Sequence, residues 1–247
     1  NSCANNNQNE YNPFISYEFL YALEKSHSIN HNTGWNSSYL ILENEKKEIL
    51  GCMPSFIKTN SMGEYVFDHD WANAYHRTGN SYYPKIQVSI PYTPVTGSRF
   101  LIKDELSYMK IIEGLSYKLL GLVEQIKASS AHITFLTKEE AGILKRLGWL
   151  IRKDQQFHWK NNNYNCFDDF LNELSSRKRK NIKKERQLFK DSSIEIEHIT
   201  GEDIQEFHWD FFYKFYLDTT MKKWGQAYLN VEFFKMIGKS MKESILL

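Results

Sequence analysis

The alternation of apolar and polar residues predicts helices and strands in turn along the first 161 residues. Residues 85–92 place every second side chain, from Ile86 to Tyr92, on one apolar face, which is the period of a strand. Residues 105–127 repeat apolar residues every three or four positions, the spacing of a helix that packs one face on a sheet. The other predicted elements are a helix opened by Asn12-Pro13, strands at 38–42, 48–57, 132–136 and 149–160, and a helix at 138–147. Such alternation predicts an α/β fold, an α+β arrangement built on a mixed sheet that helices cover.

The pattern changes after Asn161-Asn-Asn163, where a second region begins. Its predicted elements are a helix from Phe167 that continues into a very basic stretch, a strand at 193–199, helices at 202–222 and 228–242, and the first half of a buried strand at 244–247. We therefore expect three parts. They are a disordered tail over 1–12, one domain over 13–161, and over 162–247 a basic helix with the N-terminal part of a second, truncated domain.

Composition narrows the class of protein. Of the 247 residues, 41% are hydrophobic and 15% aromatic, which is enough for packed cores. The net charge of +1 creates no global field that would recruit nucleic acid or an anionic membrane. The three cysteines are far apart and form no CxxC pair, which predicts reduced thiols and a cytoplasmic protein. No apolar run approaches the roughly 20 residues of a membrane span, so no transmembrane segment is predicted.

Residues 63–84 hold six aromatic residues and three carboxylates, and they precede the strand at 85–92 directly. A carboxylate beside aromatic walls can have a raised pKa and act as a general base, so Glu64 and Asp68 are candidate catalytic residues. In a strand, these two would share a face with Val66 and Asp70. The bland alternative is that each carboxylate is solvated or caps a helix.

Tyrosines and a tryptophan near these carboxylates are candidates for binding or proton transfer. Tyr83 and Tyr92 could protonate a leaving group, since a tyrosine pKa lies near 10. The candidate substrate-binding residues are Tyr65, Trp71, Tyr75 and Tyr82. Simple packing with a satisfied hydroxyl is the alternative for each tyrosine.

The run Asp68-His69-Asp70 could suggest a metal site. Three adjacent residues of a strand cannot all face one ion, so no metal is predicted.

The loop 93–99 follows a predicted strand and precedes a helix. Backbone N–H groups in such a turn can point at phosphate oxygens, and Gly97 allows close approach. Arg99 could add a charge-assisted contact. The candidate cofactor-binding residues are Val95, Thr96, Gly97, Ser98 and Arg99. An ordinary strand–helix turn is the alternative, because this is neither a Walker loop nor a GxGxxG motif.

The segment Arg177–Arg186 carries seven basic residues and one acidic residue in ten. It could bind RNA phosphates, with tRNA as a possible partner, or a membrane surface. A solvated helix face is the commoner explanation of such a run.

These pieces together resemble the FemAB-like proteins, described as peptidoglycan biosynthesis/recognition proteins or predicted N-acyltransferases. The matching segments are Asn12-Pro-Phe14, Phe19-Leu-Tyr-Ala-Leu-Glu24, Gly63-Glu-Tyr-Val-Phe-Asp68, Trp71-Ala-Asn-Ala-Tyr75, Tyr82-Tyr-Pro-Lys85, Pro91-Tyr-Thr-Pro-Val-Thr-Gly97, Gln156-Phe-His-Trp159, Arg177-Lys-Arg-Lys180 and Lys184-Glu-Arg186. The resemblance runs from about residue 12 to the end. Since proteins of this family extend further at the C-terminus, it also implies that the chain is a fragment.

The resemblance implies two GNAT-like acyltransferase folds in tandem, one complete copy and one incomplete copy. The donor pantetheine would lie where the strand before loop 93–99 splays from its neighbour, and the loop would be the pyrophosphate-binding turn. The chain lacks the Gln/Arg-x-x-Gly-x-Gly/Ala spacing that is usual there. Both acyl-CoA and aminoacyl-tRNA therefore stay open as the donor cosubstrate, with no permanently bound cofactor. The resemblance carries over no catalytic residue.

The leading hypothesis is transfer of an acyl or aminoacyl group to an amine acceptor, which would be a small molecule or a peptidoglycan precursor. The rival is a non-catalytic module that recognises a glycan or peptide. In that case the aromatic block would stack on its ligand without chemistry.

Overall fold

The structure is a computed structural model that describes residue 3 and residues 11–103, 107–223 and 225–247. It divides into two compact units, one formed by residues 1–151 with 200–247 and the other by residues 152–199. The predicted tail over 1–12 lies, apart from residues 3, 11 and 12, outside the described residues. The prediction of a truncated second domain over 162–247 stays a prediction.

Short strands and longer helices alternate in the described part of the chain. The strands are β1 (Trp35–Ser37), β2 (Leu40–Glu43), β3 (Ile49–Met53), β4 (Ser55–Lys58), β5 (Lys85–Val88), β6 (Leu101–Ile102) and β7 (Ala131–Ile133). The helices are α1 (Tyr17–Lys25), α2 (His69–Arg77), α3 (Tyr108–Gln125), α4 (Lys138–Arg146), α5 (Phe167–Glu173), α6 (Ser176–Lys190), α7 (Glu206–Lys223) and α8 (Val231–Ser240). Short 3₁₀ turns lie at Pro13–Ile15, Gly201–Asp203 and Lys242–Ser244.

The central sheet has the order β1-β4-β5-β7. Its first two pairs are antiparallel, whereas β5 and β7 run parallel and are connected through α3. A second, antiparallel sheet has the order β2-β3-β6. The prediction of an α/β fold with a mixed sheet is confirmed.

The predicted strand at 48–57 is divided in two at Pro54. β3 forms the predicted hairpin with β2, and β4 pairs in the other sheet with β1 and β5. Proline has no N–H to donate to a ladder, so a change of sheet at this residue costs no backbone hydrogen bond.

The two faces of β5 determine where the candidate site lies. Ile86 and Val88 pack with Ile112 and Leu115 of α3 in a buried core, to which α4 also contributes. Because side chains alternate along a strand, Lys85 and Gln87 lie on the opposite face. A polar residue therefore begins the central strand on the face away from α3.

A second core lies around α1 and α8. Phe19 and Leu23 of α1 and Phe233 of α8 are buried together with Trp35 and Phe56 of the central sheet. Ser16 caps α1 by accepting a hydrogen bond from the Phe19 amide at 3.2 Å. Residues 200–247 thus belong to the same compact unit as the central sheet.

Three strand predictions are wrong. Residues 149–160 and 193–199 form no ladder, and Leu150 and Phe157 in the first segment are 95% and 88% exposed. At 244–247 there is one isolated bridge, Thr200 to Leu246, and Leu246 is exposed. An alternating pattern makes a strand only where a partner strand and a covering layer are available. In the described ranges, no helix combines the length and the apolar character that a membrane crossing needs.

Candidate active site

Two lysines face each other on the central sheet. Lys58 ends β4, Lys85 begins β5, and the two residues are partners in the antiparallel register. Both are 0% exposed. Trp35 of β1 is the register partner of Lys58 on the other side, so a tryptophan and two lysines form a row across three strands.

Lys85 lies at the centre of a buried ion-pair cluster. Its ammonium donates to Glu64 Oε2 at 2.7 Å, to the Asp68 carboxylate and to Ser61 Oγ at 2.9 Å. Glu64 and Asp68 are each 3% exposed. The three donor positions of the ammonium therefore each have an acceptor, and this satisfies a buried charge. Both carboxylates were predicted from the sequence as candidate catalytic residues.

The lysines themselves were missed from the sequence. The available signal was the position of Lys85 in the predicted strand, on the face opposite Ile86 and directly after the aromatic block. The first residue of a central strand is buried when other strands pair on both of its sides. A lysine buried there needs carboxylate partners.

Lys58 is held by weaker contacts. Its Nζ lies 3.9 Å from Glu64 Oε1, donates to the Met62 carbonyl at 3.3 Å and lies 3.6 Å from the centre of the Trp35 ring. Burial lowers the pKa of Lys58 to about 7, and the positive charge of Lys85 adds to this, while Glu64 opposes it. Lys58 is therefore poised to change its charge near neutral pH.

The pKa values of the two carboxylates are shifted in opposite directions. Burial raises the pKa of Glu64 in spite of the two lysines beside it. Burial alone would also raise the pKa of Asp68, but hydrogen bonds from Lys85, Tyr82 and Ser61 outweigh it, and the pKa lies below its ordinary value. Glu64 Oε1 and Asp68 Oδ1 are buried without a hydrogen-bond partner among the described residues. Each carboxylate thus keeps one oxygen that could accept a proton or a hydrogen bond.

A tight turn, and not the predicted strand, brings the carboxylates to Lys85. Gly63 has φ of +75°, and the Tyr92 amide donates to its carbonyl at 3.1 Å. A Cβ atom at Gly63 would lie 2.3 Å from the Tyr92 ring, so only glycine fits here. Asp68 then occupies the N-cap position of α2, a helix that the sequence did not predict, although its side chain makes no capping hydrogen bond. The alternative prediction that such a carboxylate caps a helix therefore holds for its position in the chain. Asp70 therefore lies in the first turn of α2, where it is exposed, and does not share a face with the other two carboxylates.

Two of the predicted tyrosines join the cluster. Tyr82 is buried, and its hydroxyl donates to Asp68 Oδ2 at 2.7 Å and lies 3.3 Å from His132 Nε2. Burial and then this bond to Asp68 raise the pKa of Tyr82. The hydroxyl of Tyr83 lies 2.7 Å from Ser61 Oγ, the same oxygen that Lys85 contacts. Hydrogen bonds therefore connect His132, through the cluster, to Tyr83.

The other aromatic candidates lie at different depths. Tyr75 packs edge-on against Tyr82 with ring centres 5.4 Å apart, and the ring of Trp71 lies 6.1 Å from that of His132. Tyr65 and Trp71 are each 48% exposed, so they are accessible to a ligand. Tyr75 and Trp71 thus border the cluster through Tyr82 and His132, whereas Tyr65 lies next to Glu64 in the chain.

Tyr92 lies in the core around α1 and α8. Its hydroxyl donates to the Ser28 carbonyl at 2.8 Å, and its ring stacks on Tyr228 at 4.9 Å. Burial raises the pKa of Tyr92 to about 12. The structure therefore gives Tyr92 a packing role beside Gly63 and does not bring its hydroxyl to the Lys85 cluster.

The loop 93–99 is organised around the buried side chain of Arg99. The guanidinium donates to the carbonyls of Val95 at 2.6 Å, Gly97 at 3.1 Å and Thr134 at 2.9 Å. Burial lowers the pKa of Arg99 to about 10. Val95, Gly97 and Ser98 are partly exposed and Thr96 is exposed. Arg99 thus shapes the loop from inside. The Gly97 amide, a predicted phosphate donor, donates to the Phe135 carbonyl at 3.0 Å and is not available to a phosphate.

Across the described ranges, no three His, Cys, Asp or Glu side chains gather as metal ligands. His69 and Asp70, the first two residues of α2, are both exposed.

Comparison with known proteins identifies the family. The model of the FemAB-like family, described as peptidoglycan biosynthesis/recognition, matches residues 1–247. No curated protein matches the chain. The resemblance in the sequence motifs is thereby confirmed over the whole length. The chain belongs to the FemAB-like family of peptidoglycan biosynthesis and recognition proteins.

Proposed function

We propose that this protein transfers an acyl or aminoacyl group from acyl-CoA or aminoacyl-tRNA to the amine of an acceptor, in particular a peptidoglycan precursor. The observation that carries the proposal is the buried cluster of Glu64, Asp68 and Lys85, in which two carboxylate oxygens accept no hydrogen bond from the described residues. Membership of a peptidoglycan biosynthesis family supports the choice of acceptor.

In the proposed step, the acceptor amine attacks the donor carbonyl carbon. A C–N bond forms, and the C–S or C–O bond to the carrier breaks. The amine proton passes to a carboxylate, directly or through water, and the leaving sulfur or oxygen takes a proton from a tyrosine. Most of the acceleration comes from holding the neutral amine against the carbonyl, and a backbone N–H near β5 would stabilise the oxyanion.

Glu64 is the better base of the two carboxylates. Its pKa is raised by burial, which makes it a stronger proton acceptor than an ordinary glutamate. Asp68 accepts hydrogen bonds from Lys85 and Tyr82, which lower its pKa and suit it to position Lys85. We assign Glu64 as the base and Asp68 as a positioning residue.

Tyr83 is the better proton donor of the two tyrosines. Its hydroxyl reaches Ser61 Oγ, and the same oxygen accepts from Lys85. A proton lost by Tyr83 could be replaced along this path. Tyr65 and Trp71, which are half exposed, together with Tyr75, one helical turn after Trp71 in α2, would form the wall on which the acceptor stacks.

The donor would lie along loop 93–99, as a GNAT-like copy implies. Support comes from the order β5, loop, short strand β6, α3 and β7, with β5 and β7 parallel. Val95, Thr96, Gly97 and Ser98 would contact the donor, and Arg99 would hold the loop in shape through its bonds to carbonyls.

The test is a transfer assay with acyl-CoA and aminoacyl-tRNA donors and a muropeptide amine acceptor. Glu64→Gln should lower kcat by about 10²- to 10⁴-fold, the usual contribution of a general base. Asp70→Asn, an exposed carboxylate six residues away, is the matched control and should leave kcat unchanged. Full activity in both Glu64→Gln and Asp68→Asn would remove the proposed base.

The exposed rings of Tyr65, Phe67 and Trp71 favour a second candidate, a module that binds a glycan or peptide without chemistry. A thermal-shift panel separates the two. Stabilisation by muropeptides alone, with no donor bound and no transfer, would support the module.

The basic helix α6 is a proposed binding surface for a tRNA donor. It has no buried residue, and Arg177, Lys178, Lys180 and Lys184 are exposed, so these basic side chains are available to phosphates.

A further inference from the structure

The buried cluster around Lys85 is connected toward the surface at His132. Glu64 and Asp68 are each 3% exposed and Lys85 is fully buried, so a path from a bulky acceptor amine to them needs an intermediate group. Hydrogen bonds lead from Asp68 to Tyr82 and on toward His132, which is partly exposed. The transfer step proposed for this protein gives His132 no role.

Strand β7 places His132 and Ser130 beside the cluster. His132 is the register partner of Gln87 in β5. The Ile86 amide donates to the Ser130 carbonyl at 2.9 Å, so Ser130 lies beside the start of β5. Because side chains alternate along a strand, Ser130 and His132 lie on the face of the sheet that carries Lys85. Both residues are partly exposed.

The imidazole Nε2 of His132 lies between two hydroxyl groups. Ser130 Oγ is 2.8 Å from it and the Tyr82 oxygen is 3.3 Å from it. Tyr82 donates its hydrogen to Asp68, so of the two hydroxyls only that of Ser130 is able to donate to a bare Nε2. Once Nε2 holds a proton, the Tyr82 oxygen can accept it, and the charge of Asp68 behind Tyr82 favours the imidazolium. Both protonation states of His132 therefore have a hydrogen-bond partner at Nε2.

Helix α2 brings the proposed acceptor wall to the same place. The ring of Trp71 lies 6.1 Å from that of His132, and the Tyr75 hydroxyl donates to the Ser129 carbonyl at 3.4 Å. Trp71 is about half exposed. An acceptor stacked on Trp71 would therefore lie next to His132, at the outer end of the series of hydrogen bonds that leads to the cluster.

We propose that Ser130 contacts the acceptor amine and that His132, acting through Ser130, receives the proton of this amine. The inference rests on the proposed function, and it supplies a route from the amine to the buried base Glu64. The outer group of the site is then a serine–histidine pair, which suits an acceptor amine that stays at the partly exposed edge of the sheet.

The proton moves along hydrogen bonds that the structure already contains. Ser130 Oγ takes the amine proton and gives its own hydrogen to His132 Nε2. The imidazolium passes a proton to Tyr82 as the Tyr82 hydrogen moves to Asp68. From this carboxylate a proton crosses the ammonium between the two carboxylates and reaches Glu64. Every group in between gains one proton and loses one, so the net change is one proton fewer on the amine and one more on Glu64.

The experiment measures kcat and KM for transfer to a muropeptide amine. The side chain in His132→Gln can hydrogen-bond with Ser130 but cannot take up a proton, so kcat should fall by about 10²- to 10⁴-fold with KM unchanged. In His132→Ala, added imidazole should restore part of kcat, which the loss of a merely structural side chain would not allow. His76→Gln, at an exposed histidine of α2, is the control and should keep kcat.

Ser130→Ala tests the same route and leaves the imidazole in place. It should lower kcat by the same order as His132→Gln, and the double variant should be no slower than the slower single variant, since both residues act in one route. Additive losses in the double variant would overturn the assignment, because they would mean that the two residues act separately. Urea unfolding curves should give these variants the midpoint of the unsubstituted protein, since both side chains are partly exposed.

The outcomes separate this inference from the proposed function. An unchanged kcat in His132→Gln and Ser130→Ala, together with a loss of kcat in Glu64→Gln, overturns the route through His132 and leaves the proposed function standing. Absence of transfer by the unsubstituted protein from every donor removes the proposed function, and the route falls with it.

Discussion

The chain carries two concentrations of charge that behave in opposite ways. In the cluster around Lys85, two lysines and two carboxylates are each at most 3% exposed. In α6 no residue is buried, and the ion pair between Lys183 and Asp168, 3.2 Å apart, has side chains 57% and 70% exposed. The sequence makes α6 the more conspicuous of the two, because its charges are consecutive. The burial of charged side chains, and not their number, decides how strongly a cluster affects the free energy of unfolding and the pKa values of its members.

The difference follows from solvation. Around α6, water and salt screen each charge, so a lost partner is replaced at little cost. Around Lys85, the only compensation for desolvation is the partner itself. The buried cluster should therefore be sensitive to single substitutions and α6 should tolerate them.

The largest effect should come from Lys85→Met. It leaves Glu64 and Asp68 buried without their common partner, and breaking such a pair costs about 3–5 kcal/mol of unfolding free energy. Urea unfolding measures it. Lys183→Met breaks an ion pair of the same kind on α6 and should leave the urea midpoint unchanged. Equal midpoints for the two variants would break the comparison.

The contrast between buried and exposed positions can also be tested in the backbone, at one buried and one exposed glycine. Gly63 and Gly79 have φ of +75° and +78°, so alanine is strained at both, by roughly 1–2 kcal/mol. A Cβ at Gly79 meets nothing within 4 Å, whereas one at Gly63 meets the Tyr92 ring. Gly63→Ala should therefore lower the unfolding free energy by clearly more than Gly79→Ala does. Equal losses in urea unfolding would mean that Tyr92 moves aside freely and that the turn before Glu64 is not fixed by packing.

The pH dependence of stability should report Lys58. Between pH 7 and 10.5 the folded protein holds this amine neutral, while the unfolded chain still binds its proton. Because the unfolded state then binds more protons, the unfolding free energy rises with pH, by at most about 1.4 kcal/mol per pH unit. Lys58→Met should remove this rise. The control is Lys178→Met on α6, whose exposed amine is solvated in both states, and a flattened curve in that variant would contradict the assignment.

Secondary structure was predicted correctly where a segment with a hydrophobic period also has a partner strand or a covering layer in the fold. The hairpin, the parallel strand–helix–strand unit and α4 with its glycine at residue 148 all formed near the predicted residues. The strands predicted at 149–160 and 193–199 do not form, because an alternating pattern of apolar and polar residues indicates only that a strand is possible. Pairing and cover depend on residues elsewhere in the chain.

The candidate site was predicted in part. Glu64 and Asp68 were selected as carboxylates beside aromatic residues, but for a strand face that does not exist. They meet because Gly63 turns the chain and α2 begins at Asp68. The lysines escaped notice because their burial depends on the register between β4 and β5, which single-sequence patterns do not show. Tyr92 was selected by its type, although its hydroxyl is used by the Ser28 carbonyl.

The smallest effect on stability, and the most distinctive effect on binding, is expected for α6. The triple variant Arg177→Gln, Lys180→Gln and Lys184→Gln removes three exposed charges and should leave the urea midpoint unchanged. If α6 contacts tRNA phosphates, the slope of log affinity against log salt concentration should become less steep. Its magnitude should fall by about 0.7–0.9 for each phosphate contact removed. The matched control neutralises three exposed lysines of α3, α7 and α8, namely Lys118, Lys223 and Lys239. An equal loss of slope in both triple variants would mean that net charge, and not α6, attracts the nucleic acid. A loss confined to the α6 variant would instead show that an exposed basic helix, though irrelevant to folding, serves as a binding surface.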